Sequence, residues 1–248
     1  MVALIDADSI LYKYASIHQD VFSWDGEVTT IDTDFNSAKA EMIEFIQGIQ
    51  EKTKTDSYEL VLSPAKNFRY EIDSTYKANR KLPAYSLELK EPLRYYMVSS
   101  LRAYECENIE ADDYVVAKAT GEPGKYIMCH IDKDLNQAFG KHYNYNTQEK
   151  YTITPEEGDF FFYKQILEGD SVDNIKGCPG IGDKKALKLL TEVEPEQYWE
   201  TVVKAYEKAG QTVDDAIRNA RLVRMLRHGE YNFETKEIKL WEPDVKHE

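Results

Sequence analysis

Acidic side chains recur in this sequence where they could hold a cation. Asp6 and Asp8 follow the apolar run Val2-Ala3-Leu4-Ile5, and Asp132 and Asp134 follow the run from Tyr126 to Ile131. Glu110, Asp112 and Asp113 open a helix-like segment, while Asp170 and Asp173 are three apart and so lie on one side of a helical turn. Each pair alone has an ordinary explanation, because acids at helix starts cap free amides and complement the dipole. As a set they point elsewhere: carboxylates that converge without Lys or Arg partners repel one another unless a cation neutralises them. Oxygen donors with no paired His or Cys favour Mg²⁺ or Mn²⁺ over zinc. Two such ions suit hydrolysis of a phosphodiester, one activating water and the other stabilising the leaving oxygen. The five histidines, at 18, 130, 142, 228 and 247, show no ligand spacing, and His130 reads as a packed strand-end residue. No Walker loop, nucleophile elbow or dinucleotide fingerprint occurs, so NTPase, serine hydrolase and dehydrogenase readings have no support.

Two basic segments could meet an anion. In Gly177-Cys178-Pro179-Gly180-Ile181-Gly182-Asp183-Lys184-Lys185, glycines lead into a helix that begins with lysines. Open backbone amides and a helix N-terminus at one point form a site for a DNA phosphate. Lys176, Lys184, Lys185 and Lys188 face one acid, Asp183, for a local charge of +3. The second segment, Lys66 to Lys81, carries five cations against Glu71 and Asp73, again +3, with Phe68, Tyr70 and Tyr76 interleaved. That mixture suits phosphate pairing and base stacking; a solvated loop is the plain alternative. Arg218, Arg221, Arg224 and Arg227 recur every third residue, a slow spiral around a helix that fits phosphate contact or solvent exposure equally.

Elements must place these groups. Residues 2–5, 58–62, 104–107 and 126–131 read as strands, alternating with helices over 36–52, 87–101 and from about 111. A polar stretch follows Asp8, with Gly26 as a turn between two short strands. Beyond Pro155 the pattern is helical, over about 158–169, 183–192, 196–209 and 212–228, with a terminal hairpin near 234–241. Alternation of this kind predicts an α/β domain with a mostly parallel sheet, and ligands of such sheets bind outside the carboxyl ends of the strands, where Asp6 and Asp132 fall.

Composition sets a constraint against this reading. The 248 residues carry 45 Asp and Glu against 31 Lys and Arg, a net charge of −14 that repels phosphate. Binding of nucleic acid must therefore rest on local patches. No apolar run reaches a membrane span, and the two aspartates in the opening residues argue against a secretory leader. Three scattered cysteines, Cys106, Cys129 and Cys178, form neither a disulfide framework nor a zinc knuckle and read as small core residues in a reducing setting.

Ile5-Asp6, Tyr76-Lys77-Ala78-Asn79-Arg80, Glu110-Ala111-Asp112-Asp113, Asp132-Lys133-Asp134 and Gly169-Asp170 through Gly182 together resemble the flap endonuclease superfamily, from Asp6 to about Leu190. That superfamily includes the 5′-nuclease domain of bacterial DNA polymerase I and the phage 5′-3′ exonucleases. Tyr76-Lys77-Ala78-Asn79-Arg80-Lys81 and the late Glu230 to Trp241 segment are most similar to the exonucleases of T7-like phages. The resemblance implies a PIN-like three-layer α/β/α domain over 1–155 with an arch or clamp at about 66–100. It also implies a helical part over 156–248, with a helix–three-turn–helix element at about 158–192 and a C-terminal extension. It implies two Mg²⁺ or Mn²⁺ ions, one held by Asp6, Glu110, Asp112 and Asp132 and one by Asp113, Asp134, Asp170 and Asp173. Lys77 and Arg80 would steer the scissile phosphate as catalytic cations, Tyr76 would stack on an unpaired base, and Lys81 would contact DNA. Gly177, Gly180, Gly182, Lys184 and Lys185 would hold duplex phosphate, with K⁺ at the hairpin. The implied substrate is duplex DNA with a 5′ end or flap, or an RNA/DNA hybrid, cut by a monomer in the (host) cytoplasm during DNA replication or recombination. The sequence departs from the family at Leu62-Ser63-Pro64-Ala65, where an acid is usual and proline cannot bind metal; Asp8, which many relatives lack, reads as a supporting group. A DNA-structure-binding protein with an impaired metal site and a PIN-type ribonuclease are the alternatives.

Overall fold

The computed structural model describes residues 1–24, 27–80 and 85–243. In chain order they form β1 (Val2–Asp6), α1 (Asp8–Ile17), the ribbon β2 (Gln19–Trp24) and β3 (Glu27–Thr33), α2 (Phe35–Thr53), β4 (Ser57–Leu62), α3 (Arg69–Ile72) and α4 (Lys90–Ser99). Then come β5 (Tyr104–Glu105), α5 (Ala111–Gly121), β6 (Tyr126–His130), β7 (Gly140–Asn144), β8 (Glu149–Ile153), α6 (Pro155–Glu168), α7 (Asp183–Thr191), α8 (Tyr198–Lys208) and α9 (Val213–Val223). The main sheet runs β5-β4-β1-β6-β7-β8, parallel except for β8. Helices cover both faces, so β1 is buried throughout Ala3, Leu4 and Ile5 and reads as an unbroken apolar run. Helices α1, α2 and α4 pack on one face; α5 and the segment around Met225, Leu226 and Tyr231 pack on the other. A third core joins α6 to α9 and takes in Tyr76. This is the PIN-like three-layer α/β/α arrangement with a mostly parallel sheet.

Several elements differ from expectation. Helix α1 replaces the polar stretch after Asp8, because Ile10, Leu11, Tyr14 and Ala15 share a buried face despite the charges between them. The strands on either side of Gly26 form, while Gly26 itself lies outside the described residues. Strands β7 and β8 are additional; β7 buries His142 and Tyr143 between polar neighbours, which hides its pattern. Helix α9 ends at Val223, where Arg224 turns to extended backbone, and not near 228. Residues 66–80 fold down onto the helical part: the amide of Lys77 donates to the carbonyl of Asp173 (2.9 Å) and Asn174 Nδ2 to the carbonyl of Thr75 (2.8 Å). Bridges such as Tyr231 to Ile238 form a small terminal turn, a little earlier than expected.

A candidate active site in an acidic cleft

A cleft of about 750 Å³ opens at the carboxyl edge of the sheet. Asp6 reaches it from the end of β1, Glu110 and Asp112 from the start of α5, and Asp132 from the residues after β6, with Lys77 and Arg80 opposite. Asp6 is 5 % exposed. Burial, then the charge of Asp8, pushes its carboxyl up to about 7. Burial together with Asp6 and Asp132 raises Asp112. Asp134, beside the cleft, is pushed up to about 7 by burial and by Asp132 and Asp170, and accepts from Gln165 Nε2 at 2.7 Å. These shifts have one cause: carboxylates are held out of water and near each other with too little positive charge.

That donor set fits a hard divalent cation. Among the described residues no three acidic, His or Cys side chains close around one point as a preformed cage. The carboxylates line an open cleft, an arrangement that suits Mg²⁺, which usually keeps several waters and few protein ligands.

Lys77, Arg80 and Tyr76 sit where the two acidic groups meet. Lys77 Nζ pairs with Glu110 and lies 3.7 Å from Asp173, and Arg80 bonds Asp173 at 2.6 Å. Lys77, which lines the cleft, takes a left-handed backbone (φ 56°). Arg69 and Lys77 hold Glu110 below the usual carboxylate range although burial works against them. Asp170 is buried, accepts from the amide of Val172 at 2.7 Å, and meets Lys133 at 3.4 Å. Asp170 and Asp173 lie in a turn closed by the Asp170–Ile175 bridge and not on a helix.

Two further expectations need correction. Asp113 does not face the cleft: it is fully buried, and Arg69 grips both its oxygens at 2.6 and 2.8 Å. It also accepts from the amide of Leu226 at 3.1 Å. With its carboxylate committed to the core, Asp113 is unavailable as a metal ligand. Tyr76 cannot stack on a base, being 3 % exposed with the one proton of its hydroxyl shared between Glu110 (2.9 Å) and Asp173 (3.0 Å). The arginine spiral divides: Arg224 and Arg227 are largely buried and pair with Glu230 and Asp159, while Arg218 is half exposed beside Asp215 and Arg221 reaches Glu242. Lys81 lies outside the described residues.

The glycines divide by role. Gly177 has φ +64° and a Cβ there would run into the backbone of Glu168 and Gly169, so packing demands it. Gly180 (φ +75°) and Gly182 leave open space beyond their Cα atoms. They present backbone at the start of α7, beside exposed Lys184 and beside Lys185, whose Nζ donates to the carbonyl of Gly180 at 2.8 Å. Sequence reasoning missed Tyr12, 54 % exposed at the cleft rim one turn after Asp8, and Arg94, which lines the cleft and bonds the carbonyl of Ser63. An aromatic four residues past the strand-end acid pair Asp6 and Asp8 was the available signal for Tyr12.

A family model described as the 5′-3′ exonuclease N-terminal resolvase-like domain matches residues 1–162. The chain is 26 % identical to the exonuclease of Escherichia phage T7, over 98 % of this chain and 93 % of that protein. It is 30 % identical to DNA polymerase I of Bacillus caldotenax over 64 % of this chain but 20 % of the polymerase. A solved structure of the T5 5′-exonuclease with zinc bound shares the fold, at TM-score 0.65 and 17 % identity over 90 % of this chain and 88 % of that one.

Proposed function

The chain belongs to the 5′-3′ exonuclease family with the resolvase-like N-terminal domain, and from that membership we propose that it is a divalent-metal-dependent nuclease that hydrolyses DNA from 5′ ends. The observation that carries the proposal is the convergence of Asp6, Glu110, Asp112 and Asp132 on one cleft at the carboxyl edge of the sheet, facing Lys77 and Arg80. Those four carboxylates would hold one ion, and Asp134, Asp170 and Asp173 the second. Bound there, divalent ions supply charge to the phosphodiester oxygens and acidify the attacking water.

The chain's own residues do the rest. Lys77 and Arg80 rest on Glu110 and Asp173 and trade those carboxylates for the scissile phosphate, whose developing charge they stabilise. Tyr76 stays buried and fixes Glu110 and Asp173 through its hydroxyl. Tyr12 offers an exposed ring at the rim on which the terminal base can stack. Gly180, Gly182, Lys184 and Lys185 hold duplex phosphate some distance from the cut, as the helix–three-turn–helix element of the proposal, with K⁺ bound at the hairpin. A 5′ flap and an RNA/DNA hybrid are further substrates within the proposal, and a monomer is its working form. Incubation of a 5′-labelled duplex with Mg²⁺ tests it: short 5′-labelled products that disappear with EDTA are expected. Intact substrate, or cleavage that EDTA leaves untouched, overturns the reading.

A further inference from the structure

Strands β1 and β6 each lead into the cleft through aspartates, whereas β4, paired beside β1 with Val61 opposite Asp6, leaves through Ser63 and Pro64. Proline has no side-chain donor atom, so this strand brings no carboxylate to the cleft. The acid at the mouth of β4 comes from α1. Both carboxylate oxygens of Asp8 accept from the amide of Ser63, at 3.1 and 3.2 Å, and the amide of Asp8 donates to Asp6 Oδ1 at 3.1 Å. The wall around it is tied on further sides: Ser63 Oγ accepts from the amide of Ala111 at 2.8 Å, and Arg94 donates to the carbonyl of Ser63 at 2.8 Å. Asp8 therefore stands at a fixed place in the cleft that Asp6, Glu110 and Asp112 also line.

Among the described residues no cation pairs with Asp8. A single N–H uses only part of the acceptor capacity of a carboxylate, which offers about four lone-pair directions. Its backbone amide reaches Asp6 Oδ1, so the two acids stand side by side in the lining of one cleft. Two acids this close without a cationic partner are the arrangement a divalent ion relieves.

We propose that Asp8 is a further ligand of the ion that Asp6 and Asp112 would hold, supplying from α1 the carboxylate that β4 lacks. The inference rests on the nuclease reading above. Titration of Mn²⁺ into the metal-free wild-type, Asp8→Asn and Asp112→Asn chains, followed by calorimetry and by the Mn²⁺ electron-spin signal, tests it. Asp8→Asn keeps an oxygen for the Ser63 amide while removing the charge. It should weaken Mn²⁺ binding by about tenfold or more while the metal-free chain melts no lower than wild type. Asp8→Glu should recover part of the affinity. Wild-type Mn²⁺ affinity in Asp8→Asn, at any melting temperature, identifies a structural clamp and overturns the inference alone, provided Asp112→Asn loses binding. A wild-type chain that binds no Mn²⁺ overturns the nuclease reading itself.

Discussion

Adjacent acids in this protein do opposite work, and only their partners separate them. Asp112 and Asp113 follow one another at the start of α5, yet the first faces a cleft of like charges and the second is clamped by Arg69 inside the core. Arg69 is itself fully buried and also donates to the carbonyls of Leu222 and Arg224, at 2.8 and 2.6 Å. The pair therefore ties the sheet domain to the end of α9. Removing one partner of a buried pair leaves the other charge stranded, at about 3–5 kcal/mol, so Asp113→Ala should lose that much in urea denaturation. Asp112→Asn relieves repulsion instead and should leave the metal-free chain at least as stable as wild type by the same measurement. Lys77→Ala should lower the single-turnover cleavage rate by a factor of about 10² or more, the usual effect of losing one charge-stabilising donor. Duplex binding, read by fluorescence anisotropy, should be largely retained.

At the scale of elements, strand ends deliver the chemistry, and a buried histidine pair backs one of them. His130 and His142 are fully buried with His130 Nε2 and His142 Nδ1 2.9 Å apart, and His130 Nδ1 is 2.6 Å from the carbonyl of Asp132. Burial, with His142 beside it, holds His130 down to about 3, and burial holds His142 down to about 4. Unfolded histidine titrates near 6.5. Between about pH 6.5 and 4 the unfolded chain thus binds more protons than the folded one, and stability contributed by the pair is lost as pH falls. The raised carboxyls of Asp6 and Asp134 act oppositely, since the folded chain holds their protons longer. The comparison with His142→Gln separates the two: its urea midpoint should fall less steeply than that of wild type from pH 7 to pH 5. Which elements could be read from the sequence follows from the same physics. β1 and β6 were legible because strands buried on both faces leave unbroken apolar runs ending in acids. α1 and β7 were hidden because Lys13, Lys141 and His142 break up a short pattern. Arg69, Tyr76 and Asp113 were misread because charged and hydroxyl groups are ordinarily exposed, and only tertiary contacts reveal where each is satisfied.

For the molecule as a whole, a net charge of −14 must coexist with binding a polyanion. The Lys66–Lys81 segment is less positive than its composition suggests: Arg69 is in the core, and Lys77 and Arg80 are paired with Glu110 and Asp173. Lys185 and Lys184 by the hairpin remain at the surface. DNA affinity should consequently be weak without divalent ions and fall steeply between 50 and 200 mM salt, as expected where a few phosphate contacts carry binding; anisotropy titrations with and without Ca²⁺ would register it. The central claim is that the acids at the carboxyl edge of the sheet form a hydrolytic centre. Its most direct test is the single-turnover cleavage rate of a 5′-labelled duplex at saturating Mg²⁺ for wild type and Asp112→Asn, with DNA binding measured on the same samples. A rate loss of about 10³-fold or more with binding retained is expected, in line with removing a charge-stabilising group from a preorganised site. Equal rates in the two proteins would contradict it.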